Sequence, residues 1–314
     1  MPQSPIPFVD GRRCPRTSSA LAFVQSASLC TPYPGVLRIF YRRSRRHGVG
    51  NDGALLQSLI YTAQRAGGAI MAVYHTDFAV RDKADASPVT AADEAAEKII
   101  LGDLAAIAPQ IPVVAEEAVS AGRVPALLGT SDADRFFLVD PLDGTREFVS
   151  RRDEFTVNVA LIEAGEPVLG VVYAPARGEL YWGDVRGGRA GHIDADPDGT
   201  MPSLGSAIQA RAVPRDKLVA VASRSHRTPE TDAFLANYPI GEFRSIGSSL
   251  KSCLVASGQA DVYPRIGTTM EWDTAAGHAV LAAAGGSVTG LGGEPFSYGK
   301  PGFRNGNFVA WGRR

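Results

Sequence analysis

Two carboxylates stand three residues apart in this sequence, directly after a hydrophobic run. The run covers residues 136–139, and Asp140, Leu142, Asp143 and the turn residues Gly144 and Thr145 follow it. Carboxylate oxygens at the end of a strand suit a hard divalent cation. The stretch therefore predicts a cation site at the end of a buried strand.

Other acids stand at the ends of other predicted elements. Glu116 and Glu117 follow a second short strand, Asp93 lies in the first turn of a helix, and Asp273 lies at the start of another. Each has a simpler interpretation, because Asp93 and Asp273 also suit helix capping. The pair of glutamates could be solvated, and Asp140 could merely open a turn before the next proline.

Four familiar motifs are not matched by this sequence. Counted from Asp140, a calcium-binding EF-hand would need an acid where Leu142 stands and a glutamate where Arg151 stands. A phosphatase of the haloacid dehalogenase type would also need an acid in place of Leu142. The sequence holds no Gly-Lys-Ser/Thr loop, and Gly285-Gly286 belongs to no dinucleotide fingerprint.

The elements that must position these acids begin near residue 53. Apolar residues recur there every three or four positions and predict an amphipathic helix. Thr90, followed three residues later by Asp93, has capping-box spacing and predicts a helix that ends near Ile107. Strands are expected at residues 112–115, 135–139, 155–163, 167–174 and 179–182, the last three in a largely antiparallel sheet.

A Gly-, Asp- and Pro-rich segment, Gly187–Met201, is interpreted as a loop. Strands and helices alternate after it, which favours an α/β layer. We expect two halves, residues 53–200 and 201–314, with a ligand cleft between them. The expected elements of the second half lie at residues 218–222, 229–238, 243–246, 249–257, 261–264, 274–284 and 287–289.

Residues 1–52 have a different composition from the rest. Residues 1–50 carry eight arginines and one acid, a net charge of +7, whereas the remaining residues carry −8. The segment is rich in serine and proline, and we expect a disordered basic extension. Its composition resembles an organellar transit peptide, and a start codon assigned too far upstream would produce the same pattern.

Composition excludes several classes of protein. The formal net charge of −1 gives the whole chain no electrostatic footprint for nucleic acid. No stretch approaches the roughly 20 apolar residues of a transmembrane span. Of the three cysteines, Cys14 and Cys30 lie in the extension and only Cys253 lies beyond it, which favours a reducing compartment. We expect a cytoplasmic protein, with peripheral membrane attachment or organellar targeting by residues 1–50 left open.

The acids and their flanking residues together resemble the inositol monophosphatase superfamily of magnesium-dependent, lithium-sensitive phosphatases. The resemblance covers residues 54–312 and implies the αβαβα layered sandwich of the inositol monophosphatase and fructose-1,6-bisphosphatase type. Four further segments are similar to its 3'(2'),5'-bisphosphate nucleotidase branch, which serves sulfate assimilation. They are residues 87–93, 154–158, 247–251 and 263–265.

The resemblance implies a role for each residue of the acid cluster. Two or three Mg²⁺ ions would be held by Glu116, Asp140, the Leu142 carbonyl, Asp143 and Asp273. Asp93 and Thr145 would orient and deprotonate the attacking water, and the Gly144 and Thr145 backbone N–H groups would receive the phosphate.

Arg265 separates two possible substrates. Inositol-selective relatives carry glutamate at the matching position, whereas a guanidinium binds a second phosphate bidentately. Ser248, Lys251 and His226 would complete the substrate site by the same resemblance. The alternatives are that Lys251 and Arg265 are solvated and that His226 is a surface residue or a cap.

The expected substrate is a small bisphosphate nucleotide. The expected reaction is magnesium-dependent hydrolysis of adenosine 3',5'-bisphosphate to AMP and phosphate, with 3'-phosphoadenylyl sulfate as a second substrate. Hydrolysis of inositol-1-phosphate is the alternative activity. A catalytically silent magnesium-binding regulatory module is the alternative outside enzymes, and the presence of every expected ligand and of Thr145 argues against it.

Overall fold

A computed structural model describes residues 52–82, 88–125, 135–195, 204–223 and 227–314, all within one compact unit. The extension predicted at residues 1–52 lies outside these ranges except for Asp52. His226 also lies outside them. No helix of the described residues is long and apolar enough to cross a membrane.

The helices of the described residues are α1 (Asp52–Tyr74), α2 (Ala91–Ile107), α3 (Glu116–Ser120), α4 (Thr145–Val149), α5 (Pro229–Leu235), α6 (Leu250–Ala256) and α7 (Glu271–Ala283), with a 3-10 turn at Pro301–Phe303. The strands are β1 (Arg81–Asp82), β2 (Pro88–Val89), β3 (Val113–Ala115), β4 (Arg135–Asp143), β5 (Thr156–Glu163), β6 (Glu166–Ala174), β7 (Glu179–Asp184), β8 (Arg189–Asp194), β9 (Ser206–Ala207), β10 (Leu218–Ala222), β11 (Ile240–Ser245), β12 (Val262–Arg265), β13 (Thr269–Met270), β14 (Ser287–Gly290), β15 (Arg304–Asn305) and β16 (Phe308–Trp311).

Two large sheets form the framework of the described residues. The first has seven strands in the sequential order β3 to β9 and is antiparallel except for the β3–β4 pair. The second has five strands in the order β11-β10-β12-β16-β14, parallel among β11, β10 and β12 and antiparallel at β16 and β14. The pairs β1–β2 and β13–β15 form two small ribbons.

The layers alternate between helices and sheets. Helices α1 and α2 cover one face of the first sheet, α6 and α7 lie between the two sheets, and α5 packs against the second sheet. Strand β4 shows why both faces of the first sheet are apolar: Phe137 and Val139 join the core under α1 and α2, whereas Phe136 and Leu138 join the central core. This arrangement is the predicted αβαβα sandwich.

Helix α7 lies unusually close to the first sheet. A Cβ atom on Gly170 of β6 would lie 2.5 Å from the Ala276 carbonyl oxygen, and one on Gly183 of β7 would lie 2.7 Å from the Ala279 carbonyl oxygen. Glycine in a strand allows another backbone to approach closely. Because of these two glycines, α7 can bring its N-terminus to the edge of the site.

Several predicted boundaries are wrong. Segment 187–201, expected to be a loop, contains strand β8, which follows a Gly187-Gly188 turn and pairs antiparallel with β7 along its whole length. The first sheet continues to β9, beyond residue 200. Strand β4 extends to Asp143 instead of ending at Val139, and α7 begins at Glu271, three residues before the expected start.

One buried histidine makes the fold sensitive to acid. His278 of α7 places Nδ1 3.0 Å from the Tyr298 hydroxyl, and burial lowers its pKa from 6.5 to about 4. The folded state therefore holds this imidazole neutral between these pH values, whereas the unfolded chain protonates it. Its contribution to stability is present above pH 6.5 and is lost as the pH falls toward 4.

We expect His278→Gln to flatten the acid side of the stability profile. The wild type should lose on the order of 3 kcal/mol between neutral pH and pH 4 through this group alone. Denaturant unfolding at several pH values measures the slope for the wild type, for His278→Gln and for His75→Gln, which changes an exposed imidazole. Equal slopes in all three proteins would contradict the assignment to His278.

Candidate active site

The end of β4 supplies the first carboxylates of the site. The pairing of β4 with β5 is irregular between Asp140 and Asp143, so the chain between them leaves the regular ladder. Asp140 is buried, and its Oδ1 accepts the Leu142 backbone N–H at 3.0 Å. This bond fixes the local turn that separates the two carboxylates.

A glycine in a left-handed conformation connects β4 to α4. Gly144 has φ +88° and ψ 38°, and Thr145 follows as the first residue of α4. A Cβ atom on Gly144 would lie 3.1 Å from the Glu154 carbonyl oxygen. The position therefore requires glycine both for its backbone angles and for the available space.

Asp93 both caps its helix and faces the site. Its Oδ2 accepts the backbone N–H and the hydroxyl of Thr90, both at 2.8 Å, which completes the predicted capping box. Its Oδ1 lies 3.4 Å from the Thr145 hydroxyl, whose other acceptor is the Leu142 carbonyl at 3.2 Å. The capping and site interpretations of Asp93 are thus compatible, because they use different oxygens.

Asp273 of α7, like Asp93, caps the start of its helix and also lies beside the other acids. Its Oδ2 accepts the Met270 backbone N–H at 2.8 Å, as the third residue of the helix. Burial raises its pKa, the negative charges of Asp143 and Glu116 raise it further, and Arg265 opposes them. These interactions place Asp273, Asp143 and Glu116 in one electrostatic neighbourhood.

The carboxylates approach one another without converging on a point. Within the described ranges, no three Asp, Glu, His or Cys side chains form a cluster arranged for a metal ion. Asp143 directs Oδ2 toward two hydroxyls, that of Ser248 at 2.6 Å and that of Ser249 at 3.0 Å. The predicted ligands therefore share a neighbourhood, and their role as ligands stays a prediction.

Two cations lie beside the acids. Lys251 is buried at the start of α6, donates to the Ser248 carbonyl and lies 5.6 Å from the centre of the Tyr263 ring. Burial lowers its pKa to about 8, the charge of Asp143 opposes this shift, and that of Arg265 reinforces it. Arg265 ends β12 and donates through Nη2 to the Thr268 carbonyl at 3.2 Å.

The predicted substrate residues thus meet at the same place as the predicted metal ligands, except for His226, which lies outside the described residues. The buried Nε of Arg265 has no hydrogen-bond partner in the described part of the chain. A buried donor of this kind is costly to leave unsatisfied. An anionic ligand would supply the acceptor.

Sequence reasoning assigned no role to Ser249, Thr156 and Asn158. Asn158 pairs with Asp140 across the β4–β5 ladder, and Thr156 pairs with Asp143. Asn158 donates to the Ser249 hydroxyl at 2.8 Å. The available signal was the presence of two polar residues at alternate positions of an otherwise apolar strand, since alternate residues face the same side.

Comparison with known proteins gives consistent results for sequence and fold. The model of the inositol monophosphatase family matches residues 54–312. The 3'(2'),5'-bisphosphate nucleotidase CysQ of Shigella flexneri is 45% identical over 258 residues, which cover 80% of this chain and 98% of that protein. The CysQ protein of Escherichia coli K12 is 44% identical over 258 residues, with the same coverage of 80% and 98%.

Solved structures share this architecture. The crystal structure of CysQ from Bacteroides thetaiotaomicron, a bacterial member of the inositol monophosphatase family, matches with a TM-score of 0.68 and 38% identity, covering 83% of this chain and 98% of that one. An inositol monophosphatase from Anabaena matches with a TM-score of 0.64 and 27% identity, covering 84% of this chain and 92% of that one.

The close approach of Gly144 to Glu154 gives a test of the site's geometry. Alanine at Gly144 should lose about 1 kcal/mol for its positive φ and about 1 kcal/mol more for the contact with the Glu154 carbonyl. Gly293 is a matched control, with φ +89° and no atom within 4 Å of the position that a Cβ would take. Chemical denaturation should show a larger loss for Gly144→Ala than for Gly293→Ala, and equal losses would contradict the close approach.

Proposed function

Because the chain belongs to the inositol monophosphatase family, we propose that it is a 3'(2'),5'-bisphosphate nucleotidase. It removes the 3'-phosphate of adenosine 3',5'-bisphosphate and releases AMP and inorganic phosphate. Relatives named for this activity match most of the chain at 45% identity, whereas the Anabaena inositol monophosphatase matches at 27%. The proposal therefore favours the nucleotide over inositol-1-phosphate.

The observation that carries this proposal is the pair of cations beside the carboxylates. A substrate with one phosphate needs the acid cluster and its cation, whereas a bisphosphate brings a second dianion that needs separate positive charge. Lys251 and Arg265 supply that charge: Asp143 raises the pKa of Lys251, against the effect of burial, and Arg265 lowers the pKa of Asp273. The Nε–H group of Arg265, which has no hydrogen-bond partner among the described residues, is a directional donor to which a phosphate oxygen would bind.

The protein atoms proposed to hold Mg²⁺ fit such an ion. The set comprises carboxylates and one backbone carbonyl, the hard oxygen ligands that Mg²⁺ prefers, from Glu116, Asp140, Leu142, Asp143 and Asp273. The raised pKa of Asp273 fits as well, since burial and the negative charges of Asp143 and Glu116 raise it, and a bound cation would offset that charge. When bound, two or three Mg²⁺ ions would stabilise charge on the attacking and leaving oxygens.

Thr145 and Asp93 accept a proton from the attacking water by relay. The single proton of the Thr145 hydroxyl has two acceptors within reach, the Leu142 carbonyl and Asp93 Oδ1. When it points to Asp93, the Thr145 oxygen is free to accept a hydrogen bond from water. Water then gives a proton to Thr145 as Thr145 gives its own to Asp93, and the water oxygen attacks phosphorus. The bond from phosphorus to the ribose 3' oxygen breaks, and this oxygen leaves with AMP and takes a proton from solvent.

The second phosphate is held on the other side of the site. Arg265 and Lys251 approach the cluster from β12 and α6, and they bind the phosphate that is not cleaved. Ser248 lies in the turn that leads into α6, three residues before Lys251. His226 is proposed to contact the nucleotide. Since 3'-phosphoadenylyl sulfate also carries a 3'-phosphate and a 5'-anion, it is a second proposed substrate, consistent with a role in sulfate assimilation.

A phosphate-release assay with three substrates tests the proposal directly. Adenosine 3',5'-bisphosphate should be hydrolysed with a kcat/KM well above the values for inositol-1-phosphate and fructose-1,6-bisphosphate. A preference for inositol-1-phosphate would restore the alternative activity. Binding of Mg²⁺ without release of phosphate from any bisphosphate nucleotide would favour the silent regulatory module.

Asp143→Asn should abolish turnover and leave the fold intact, because the amide keeps the shape of the side chain and removes the charge that offsets a divalent cation. Asp184→Asn is the control, since it makes the same substitution at a buried carboxylate whose Oδ1 accepts the Gly187 backbone N–H. The control should keep its activity at temperatures where it is folded. More than about a tenth of the wild-type kcat in Asp143→Asn at saturating Mg²⁺ would count against the assignment.

Arg265→Glu should discriminate between the two substrates. Replacing attraction by repulsion at the uncleaved phosphate should lose roughly 2–5 kcal/mol. This corresponds to about 30-fold to several thousand-fold in kcat/KM for adenosine 3',5'-bisphosphate. Inositol-1-phosphate has no second phosphate and should change far less. A parallel fall on both substrates would mean that Arg265 only supports the site structurally, and no change on either would place it in solvent.

A further inference from the structure

Strand β5 places two polar side chains in a position where apolar residues would be expected. Thr156 is 0% exposed and Asn158 is 1% exposed, while the intervening Val157 joins the core beneath α1 and α2. Burying a hydroxyl and an amide is costly unless each polar atom is hydrogen-bonded. Both residues face the acids, because they pair with Asp143 and Asp140 across the ladder.

A chain of hydrogen bonds leads from these residues to Asp143. The Thr156 hydroxyl donates to Asn158 Oδ1 at 3.0 Å, and Asn158 Nδ2 donates to the Ser249 hydroxyl at 2.8 Å. Ser249 in turn reaches Asp143 Oδ2 at 3.0 Å and the Asp273 carbonyl at 2.7 Å. The Ser248 hydroxyl contacts Thr156 Oγ1 and lies 2.6 Å from Asp143 Oδ2.

The amide of Asn158 determines where the hydroxyl protons point. Its NH₂ group can only donate, so Ser249 must accept from it and direct its own proton to Asp143 or to the Asp273 carbonyl. Its carbonyl can only accept, so it takes the proton of Thr156. Thr156 then has none to give Ser248, and the Ser248 proton points to Asp143 or to Thr156.

The chain also joins parts of the fold that are distant in sequence. Asn158 belongs to the first sheet, Ser249 precedes α6, and Asp273 belongs to α7. Ser248 has a φ of +52°, an uncommon conformation for a residue with a side chain, and its hydroxyl lies within this chain of bonds. If Asn158 only filled space in the core, an apolar residue of similar volume would serve there without these hydrogen bonds.

We propose that Asn158 is a positioning residue that, through Ser249 and with Thr156, orients the hydroxyl donors on Asp143 and so holds this carboxylate ready for the cation. The inference rests on the proposed magnesium site and deepens it. Partners of a metal-ligating carboxylate affect affinity by fixing its orientation, typically by 10- to 100-fold. The side chain of Asn158 contacts Thr156 and Ser249, and its proposed effect on the cation passes through Ser249.

The experiment measures cation binding apart from catalysis. Metal-free protein is titrated with Tb³⁺, its sensitised luminescence is recorded, and Mg²⁺ is used to displace the Tb³⁺. Asn158→Leu, which nearly conserves volume and removes both donor and acceptor, should weaken Mg²⁺ binding by about 10- to 100-fold. Thr156→Val should weaken it in the same direction and Thr156→Ser should restore it, because serine keeps the hydroxyl.

Thr62→Val is the matched control. Thr62 is also 0% exposed, and its hydroxyl contacts Asp103 on α2. This variant should bind Mg²⁺ within about twofold of the wild type, below the 10-fold scale of a partner that orients a ligand. In the phosphate-release assay, Asn158→Leu should raise the Mg²⁺ concentration needed for half-maximal rate and leave KM for the nucleotide at saturating Mg²⁺ nearly unchanged.

A double-mutant cycle decides whether Asn158 acts through Ser249. If it does, Asn158→Leu should weaken Mg²⁺ binding no further in a Ser249→Ala background. Additive effects, or unchanged affinity in Asn158→Leu, would overturn the proposal. If Asn158→Leu does not fold, unchanged affinity in Thr156→Val and Ser249→Ala would overturn it equally. Failure of the wild type to bind Tb³⁺ or Mg²⁺ would instead remove the proposed cation site.

Discussion

Mutual repulsion among carboxylates is the constraint on which this site depends. Three of the acids are held in place by a backbone donor two or three residues away in the chain: Asp93 by Thr90, Asp140 by Leu142, and Asp273 by Met270. One oxygen of each carboxylate is used in this way, which offsets part of the cost of holding negative charge in a space shielded from water. What remains is a concentration of negative charge that a divalent cation would stabilise.

The layered fold makes this concentration possible. Glycines in β6 and β7 let α7 lie close against the first sheet, so the helix brings Asp273 toward β4. The second sheet contributes Arg265 through β12, and α6, between the sheets, contributes Lys251. The charges of the site thus come from three layers: Asp140 and Asp143 from β4, Lys251 and Asp273 from the helices between the sheets, and Arg265 from β12. Packing of these layers brings the two cations beside the acids, where the second phosphate of the proposed substrate would need positive charge.

Much of the local structure could be predicted from the sequence, and the exceptions have physical causes. The Thr90–Asp93 capping box specifies the start of α2 through contacts within four residues. Strand β8 was missed because the glycines and aspartates of segment 187–201 suggest a loop, although residues 189–194 pair with β7 along their whole length and Ala190 and Ile193 are buried. Thr156 and Asn158 were left without a role because their hydrogen-bond partners, Ser248 and Ser249, lie 91 or 92 residues away.

The sequence alone identified the family and the residues proposed to carry the chemistry, because the residue types and spacing around Asp140 and Asp143 are properties of a short stretch of chain and resemble one family. It also indicated that Asp93 and Asp273 begin helices. Only the tertiary structure decided that Ser248, 105 residues from Asp143, donates to it, and that burial lowers the pKa of Lys251 to about 8. These properties depend on distance and on exclusion of water, which arise when separate layers pack together.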